Sequence, residues 1–357
     1  MVEDVADHSD DVEPTTDSDT EPPSPEPAPV GRRPLLILTV VPVVAAAVSV
    51  ALTWRFTAPV GDAAWLTQRV ADAAQGRWPL VGMPSSIGRG AVTAHHPGPI
   101  QFYWLAPWWA VGGFHGIVIG TAVASAAALT TLGALTRRLP GATLLSACGA
   151  QVAAAIGLLT ISTELLADPW NPYAAMPWLL VLVAAAVAIW SGHRNAWWAV
   201  VVAGSIVAQL HVAYLPVVVA VLVVSAWRAW RSVDARPDVR QLGALLVVGL
   251  LLWAPVVWDL IGGDRNPVQL ARAVGAGGSV AGPGPVVVAA AAALAPWHRV
   301  IDSPWIPAHA TVREWLAVLA FAALAVASWW FGDRSHWSRS WTAAFGLTTL
   351  GWAALST

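Results

Sequence analysis

Residues 61–107 read GDAAWLTQRVADAAQGRWPLVGMPSSIGRGAVTAHHPGPIQFYWLAP, the longest polar interval between two strongly apolar segments of the chain. The interval begins with an acid at Asp62, continues through a Gly- and Ser-rich middle, and ends with HHPGP at 95–99 and an aromatic run. Only 11% of the 357 residues are charged, against about 25% in soluble domains. Polar residues gathered in one interval of such a chain therefore indicate a site.

The composition predicts an all-α fold, a polytopic bundle of transmembrane helices. Hydrophobic residues make up 57% of the chain, and its mean hydropathy is +0.60. The single cysteine, Cys148, excludes an intramolecular disulfide framework and a metal cluster built on cysteines.

Charge is distributed unevenly along the chain. Residues 1–30 hold ten acids and no arginine, whereas the remainder has 19 basic and 11 acidic residues, a net charge of +8. An acidic segment rich in Pro, Ser and Thr cannot bury enough apolar surface to offset its ordering entropy. Residues 1–33 are therefore predicted to be a disordered cytoplasmic tail, which either solubilises the protein or docks on a partner.

The first apolar run, residues 34–54, has about the twenty residues that a bilayer core requires. Arg32 and Arg33 precede it, and arginines beside a first span place that end in the cytoplasm. Asp62 and the first large loop, residues 55–114, are therefore predicted to be extracytoplasmic.

The remaining helices follow from the loop and from later apolar runs. Residues 66–74 are expected to form a short amphipathic helix, and 102–111 an aromatic helix at the interface. Residues 260–312 form a second large outer loop with a helix over 268–274, and its apolar run 286–295 is too short to span. About nine spans result, in a transmembrane domain over 34–357; those after the first are 115–135, 142–165, 173–191, two within 196–227, 242–259, 315–331 and 341–354.

The apolar run 196–227 has two interpretations. One long tilted span would carry the arginine cluster at 228–240 to the outside. Two short spans, broken at 211–216, keep that cluster in the cytoplasm, which the positive-inside rule favours, and Pro216 supplies a natural break. We therefore predict a helical hairpin.

Asp62 is the first candidate site residue, about one turn beyond the outer end of the first span. A carboxylate there can act as general base toward an acceptor hydroxyl if the fold shields it. It can equally cap the helix that starts at once with Asp62-Ala63-Ala64-Trp65. The two roles are compatible.

Three further side chains of the same loop suit a phosphate, namely Arg89, His95 and His96, because arginine forks and imidazoles donate hydrogen bonds to its oxygens. Alternatively, the two histidines face different ways and hydrogen-bond the loop itself. No HxxxH or HExxH spacing is present, so a zinc site is not predicted. A hard divalent cation held by Asp62 and another outer acid remains an alternative.

More polar residues are predicted at the outer ends of the spans. Under the derived topology they share one face with Asp62, and ionisable residues at membrane depth are functional candidates. Interfacial anchoring explains the three tyrosines equally well. The residues concerned are Tyr103, Glu164, Asp168, Asn171, Tyr173, His211, Tyr214 and Asp259.

This placement favours an enzyme acting on a lipid-borne substrate over a transporter. A transporter more often has polar residues and broken helices at mid-bilayer, together with inverted repeats. Here the polar residues gather at helix ends and in one large loop.

Short motifs in a fixed order lead to a family resemblance. They are Gly61-Asp62 after the first span, HPGPIQFY at 96–103, WNPY at 170–173, GSIVAQLH at 204–211, and WAP at 253–255 followed by NPVQL at 266–270. Within residues 34–275, this order resembles the GT-C class of membrane glycosyltransferases that use polyprenyl-phosphate sugars. The chain looks closest to the protein O-mannosyltransferase and lipid A aminoarabinose transferase group, and to related actinobacterial membrane proteins.

The resemblance implies roles for the site residues. In that family an acid of the first outer loop is the catalytic base, the position that Asp62 takes here. Basic residues of the outer loops bind the leaving phosphate, which implicates Arg89, His96 and Arg272. The substrate-binding residues expected in total are Arg89, His95, His96, Tyr103, Asn171, Tyr173, His211, Tyr214 and Arg272.

The resemblance also implies partners and a location. The expected reaction is an inverting transfer from a polyprenyl-phosphate sugar in the plasma membrane bilayer to a cell-envelope glycan or protein acceptor, with no nucleic acid involved. Two features depart from the family: many relatives have Glu where this chain has Ala63, and relatives usually have more spans and a C-terminal outer domain. The alternative functions are an inactive subunit that binds lipid-linked sugars and, after it, a transporter.

Overall fold

The computed structural model describes residues 32–54, 58–85 and 94–275. Several sequence predictions lie outside these ranges: the disordered tail up to residue 31, the role of Arg89, the apolar run 286–295 and the spans 315–331 and 341–354. Within the described residues the regular structure is helical, and the prediction of an all-α fold is confirmed there.

Nine α-helices cover most of the described chain. Six of the helical segments are long and apolar enough to cross a membrane, so the protein is a multi-pass membrane protein. The helices are α1 Arg32–Thr53, α2 Asp62–Ala74, α3 Ile100–Arg137, α4 Leu144–Ile161, α5 Asn171–Trp190, α6 Trp197–Leu210, α7 Leu215–Arg231, α8 Val239–Gly262 and α9 Asn266–Gly275.

The sequence predicted seven spans in this part of the chain, and the difference is α6. This helix has 14 residues, about 21 Å at 1.5 Å per residue, whereas the hydrocarbon core is about 30 Å thick. The total of nine spans therefore stays a prediction.

The break predicted at 211–216 and the hairpin of two helices within 196–227 are confirmed, whereas the prediction that both helices span the membrane stays a prediction. Helix α6 ends at Leu210, a 3₁₀ turn covers Val212–Tyr214, and α7 starts at Leu215. The indole N–H of Trp197, at the start of α6, donates to the carbonyl of Ala235, just after α7, at 3.0 Å. The chain therefore reverses direction between the two helices, and the arginines after α7 return to the side where α6 begins.

Helix α3 joins the predicted interfacial helix to the predicted span through a sharp kink. Gly113 has φ 56° and ψ −136°, a left-handed value of φ that glycine adopts without strain. The two segments fold against each other so closely that a Cβ on Gly116 would lie 1.9 Å from the carbonyl oxygen of Trp108. A Cβ on Gly120 would meet the Trp108 ring at 2.6 Å, so both glycines are required by packing.

Helix α5 is the centre of the bundle and packs against α3, α6 and α7. In its most apolar window 67% of the residues are buried, against 28%, 22% and 17% in α1, α4 and α8. Within the described residues, the outer three helices leave apolar side chains uncovered, as helices in contact with lipid do. The amphipathic helix predicted at 66–74 is α2, which starts four residues earlier and buries Leu66 and Val70.

A glutamine replaces a hydrogen-bond donor that a proline removes from α1. In a regular helix the carbonyl of Leu38 accepts from residue 42, but Pro42 has no N–H. The fully buried Gln151 of α4 donates from Nε2 to Leu38 at 2.7 Å and to the carbonyl of Leu129 in α3 at 2.9 Å. A Cβ on Gly133 would lie 2.4 Å from that nitrogen. One amide thus joins α1, α3 and α4.

We expect Gln151→Leu to destabilise the protein by roughly 0.5–2 kcal/mol, because the carbonyl of Leu38 then has no donor. Pro42→Ala restores an N–H, so the double variant should lose less stability than Gln151→Leu alone. The measurement is unfolding in detergent followed by tryptophan fluorescence. Gln68→Leu, on the exposed side of α2, is the control and should change little. Equal losses in the single and double variants would contradict this pairing.

Candidate functional site at the outer end of the bundle

Side-chain hydrogen bonds join the ends of three helices on one side of the bundle. The amide of Gln101, at the start of α3, donates to the carbonyl of Pro169 at 2.6 Å. The amide of Asn171, at the start of α5, donates to the carbonyl of Leu210, at the end of α6, at 2.8 Å. Because the arginine-rich turns lie at the opposite ends of α5, α6 and α7, the positive-inside rule assigns this side to the outside.

The segment 94–99 crosses the outer end, and its first residues, 94–96, are paired with residues 82–85. The N–H of Gly82 donates to the carbonyl of His96 at 3.0 Å, and the N–H of His96 donates to the carbonyl of Met83 at 2.8 Å. A Cβ on Gly82 would lie 2.8 Å from the carbonyl oxygen of Gly98. The loop therefore packs backbone against backbone.

Gly98 in turn lies directly on Gln209 of α6. A Cβ on Gly98 would be 2.2 Å from Oε1 of that glutamine, so a larger residue at this position would displace the glutamine side chain. The Gln209 amide nitrogen donates to the carbonyl of Leu252 in α8 at 2.9 Å. Its Oε1 is buried without a hydrogen-bond partner among the described residues.

A buried carboxylate at the end of α8 holds the same segment from the other side. Asp259 is 3% exposed and accepts the N–H of Asn266 at 2.7 Å and that of Asp264 at 3.1 Å. Asn266 accepts the N–H of His95 at 2.8 Å and donates to its carbonyl at 3.2 Å. Asp259, a candidate site residue by sequence, thus fixes the position of Asn266, which in turn binds the backbone of His95.

His96 and His211 form a contacting pair, with ring centroids 4.4 Å apart and ring planes inclined by 34°. Nδ1 of His96 accepts the N–H of Val212 at 3.2 Å, which places the proton of a neutral ring on Nε2. Burial first, and the neighbouring His211 second, lower the pKa of His96 to about 3. Burial lowers the pKa of His211 to about 4. At pH 7 both rings are neutral, so they can donate hydrogen bonds to a phosphate but bring no positive charge.

Contacts continue from this pair to the start of α5. The ring of His211 meets Tyr214 edge-on at 5.6 Å, and the Tyr214 hydroxyl donates to the carbonyl of Pro172 at 3.2 Å. Beside that proline, Tyr173 packs edge-on against Trp170 at 4.8 Å. The structure therefore brings His96, His211, Tyr214, Asn171 and Tyr173 together, as the sequence predicted for one face.

Trp170 connects Asp62 to this group of residues. The indole N–H of Trp170 donates to Oδ2 of Asp62 at 3.0 Å, and Asp62 is exposed as the first residue of α2. The residue at the N-cap of α2 is Gly61, and no side-chain hydrogen bond caps this helix. The interpretation of Asp62 as a capping residue is therefore wrong. Its carboxylate faces the start of α5 instead.

Trp170 itself is positioned by Asp168, whose Oδ1 accepts the backbone N–H of Trp170 at 2.8 Å. Burial raises the pKa of Asp168, while this hydrogen bond opposes the shift. Trp170 was not among the predicted site residues, although it belongs to the WNPY motif. Its position two residues after an acid was the available signal, since Asp side chains bond the backbone two residues on.

The remaining predicted residues take other positions. The hydroxyl of Tyr103 donates to the carbonyl of Pro79, and its ring meets Trp78 edge-on at 5.3 Å, which packs the first loop onto α3. Arg272 is exposed on α9. Arg89 lies outside the described residues.

The part of the chain that the structure describes contains no set of side chains suited to bind a metal ion. No group of three or more His, Cys, Asp or Glu side chains there could hold an ion. Asp62 and Asp168 each accept a hydrogen bond from Trp170. The alternative of a bound divalent cation therefore gains no support from the described residues.

Comparison of the chain with protein-family models, curated proteins and solved structures finds no match. The resemblance to GT-C glycosyltransferases therefore rests on the motifs and their order. Four of those motifs meet at the outer end: HPGPIQFY through His96, WNPY through Trp170, GSIVAQLH through Gln209, and NPVQL through Asn266.

We expect acid to destabilise the protein through the histidine pair. A histidine whose pKa is lower in the folded protein gains a proton on unfolding, so the free energy of unfolding falls as the pH drops below about 6.5. The fall continues to the folded pKa values of about 3 and 4. The thermal unfolding midpoint should drop between pH 7 and pH 5, and should drop less in the variant carrying His96→Gln and His211→Gln.

His115→Gln is the control for this experiment, since His115 lies outside the pair and packs on Trp54. It should keep the wild-type dependence on pH. A double variant with the same dependence as wild type would show that the pair is not the acid-sensitive element.

Proposed function

We propose that this protein is a GT-C-type glycosyltransferase of the plasma membrane, which transfers a sugar from a polyprenyl-phosphate donor to an acceptor outside the cytoplasm. The observation that carries the proposal is the Asp62 carboxylate, exposed at the outer end and held by the indole of Trp170. A lipid-borne donor reaches such a position from the bilayer, and an acceptor reaches it from the aqueous side.

The proposed reaction needs one base and a good leaving group. Asp62 takes the proton of the acceptor hydroxyl as its oxygen attacks the anomeric carbon. The bond between that carbon and the phosphate oxygen breaks, and polyprenyl phosphate leaves with the electron pair. Attack from the side opposite the leaving group inverts the anomeric centre.

Trp170 leaves one carboxylate oxygen for this chemistry. Its N–H occupies Oδ2 of Asp62, so Oδ1 can face the acceptor hydroxyl. Two contacts restrain Trp170: Asp168 accepts its backbone N–H, and Tyr173 packs edge-on against its ring. A base restrained in this way loses less entropy when the acceptor binds.

Charge for the donor phosphate has to come from arginines, because His96 and His211 are neutral at pH 7. Arg69 on α2 is near enough to His95 that its charge, after burial, lowers the pKa of that histidine. Arg69 and the exposed Arg272 are therefore the phosphate ligands we propose among the described residues. The histidine pair contributes neutral N–H donors beside them.

The second candidate function is an inactive GT-C-like subunit that binds a lipid-linked sugar for a partner. One observation favours it: Asp62 is exposed, whereas a general base works best where the fold shields it from water. Ala63, in place of the Glu of many relatives, points the same way. Binding of a polyprenyl-phosphate sugar without turnover would distinguish this function.

The test of the catalytic proposal is Asp62→Asn. We expect transfer of labelled sugar from a panel of polyprenyl-phosphate donors to fall by about 10²–10⁴-fold, because the amide cannot accept the proton. The matched control is Asp234→Asn, an exposed carboxylate in the turn between α7 and α8, at the opposite end of the bundle. It should keep wild-type activity. Full activity in Asp62→Asn membranes at equal expression would exclude Asp62 as base.

The positioning role of Trp170 gives a separate prediction. Trp170→Phe keeps an aromatic ring beside Tyr173 but removes the N–H donor, so we expect kcat to fall by about tenfold with KM for the donor unchanged. Trp258→Phe, at an exposed position on α8, controls for loss of an indole elsewhere. A rise in KM at constant kcat would instead assign Trp170 to donor binding.

A further inference from the structure

The inner end of the bundle carries an array of arginines that the proposed function does not use. Hydrogen bonds and contacts join its parts: the carbonyl of Arg194 accepts from Gln241 at 3.1 Å, and the backbone of Arg138 hydrogen-bonds His193. With two aspartates, Asp234 and Asp238, the array has a net charge of +5. Its seven arginines are Arg137, Arg138, Arg194, Arg228, Arg231, Arg236 and Arg240.

Backbone carbonyls and indoles hold several of these guanidinium groups in place. Arg228 donates to the carbonyl of Trp190 at 2.9 Å and lies 6.0 Å from its ring centre. Arg231 is exposed and lies 5.3 Å from the ring of Trp227 and 5.7 Å from that of Trp230. Guanidinium groups held by neutral partners keep their full charge and lose little entropy on binding an anion.

Arg236 and Arg194 extend this pattern along the turn between α7 and α8. Arg236 donates to the carbonyl of Trp230 at 3.0 Å, again a neutral partner. Arg194 lies 3.9 Å from Asp238, and both side chains are about half exposed. The ion pair is therefore solvated and weak. Among the described residues of the array, seven arginines face two aspartates, which leaves the net charge of +5.

We propose that the acidic N-terminal segment of this same chain, residues 1–31, docks on this arginine array. The segment carries ten acids and no arginine, which complements the array in sign and exceeds it in number. It ends where α1 begins, at Arg32. Because α1 leads to Asp62 on the outer side, its start and the array lie on the same side of the membrane.

Reach and tethering support an intramolecular occupant. For 31 residues without regular structure, as the composition predicts for this segment, the end-to-end distance is roughly 30 Å, comparable with the width of a small helical bundle. A tethered segment acts at an effective concentration in the millimolar range, so even weak carboxylate–guanidinium pairs suffice. This docking does not depend on the outer site and stands whether or not the protein transfers sugars.

Distances between two spin labels test the proposal in the full-length protein. The labels are attached at Ser18→Cys and at Val233→Cys, an exposed position in the turn after α7, in a Cys148→Ala background. The protein is placed in phosphatidylcholine nanodiscs, which carry no net charge. The matched control is the same chain with its ten tail acids replaced by amides, which leaves the arginines beside the spans unchanged.

At about 10 mM salt, where charges act over roughly 30 Å, the wild-type distances should be shorter and narrower than those of the amide variant. At about 1 M salt, where this range falls to about 3 Å, the two distributions should coincide. A variant with Arg231→Gln and Arg240→Gln should shift the low-salt distribution toward that of the amide variant.

Three outcomes would overturn the proposal. The first is equal distances in wild type and amide variant at low salt. The second is a short wild-type distance that the arginine substitutions leave unchanged, since the array would then not be the binding surface. The third is a free tail in phosphatidylcholine together with arginine-dependent binding of phosphatidylglycerol vesicles, which would assign the array to anionic lipid headgroups.

Discussion

This structure depends on one requirement: a backbone carbonyl that no water can reach needs a hydrogen-bond donor from the protein. In lipid an unsatisfied polar group costs several kcal/mol, and prolines and helix ends create such groups within the bundle. Buried amide side chains supply donors from neighbouring helices. The same bonds that satisfy the carbonyls therefore set the positions of the helices. Gln151 donates to the carbonyl that Pro42 leaves without a donor, and Asn171 donates to that of Leu210 at the end of α6.

The outer end shows how this constraint produces a site. Gln101 and Asn171 fix the start of α5 between α3 and α6, and this places the Trp170 indole against Asp62. Asn266 and Gln209 fix the segment 94–99 from two sides, which buries His96 against His211. Burial then keeps both imidazoles neutral, so this histidine pair adds no positive charge to the polar side chains at this end.

The two ends of the bundle differ in chemistry as a result. Carboxylates, amides and neutral imidazoles occupy the outer end together with Arg69 and Arg272, whereas seven arginines, several of them held by indoles and carbonyls, occupy the inner end. The positive-inside rule accounts for the direction of this difference. It does not account for the arginines being held by neutral groups, which is a property of the packing of α5, α6 and α7.

Composition and hydropathy by themselves determined the membrane class, the helical fold and the hairpin after Trp197, because each depends on local apolar length or on flanking charge. The shortness of α6 and the kink at Gly113 depend on how neighbouring helices fit, so only the tertiary structure decided them. The same holds for Trp170 as the partner of Asp62, and for the neutral state of His96 and His211. Those properties come from contacts between residues about a hundred positions apart, and from burial that no local pattern encodes.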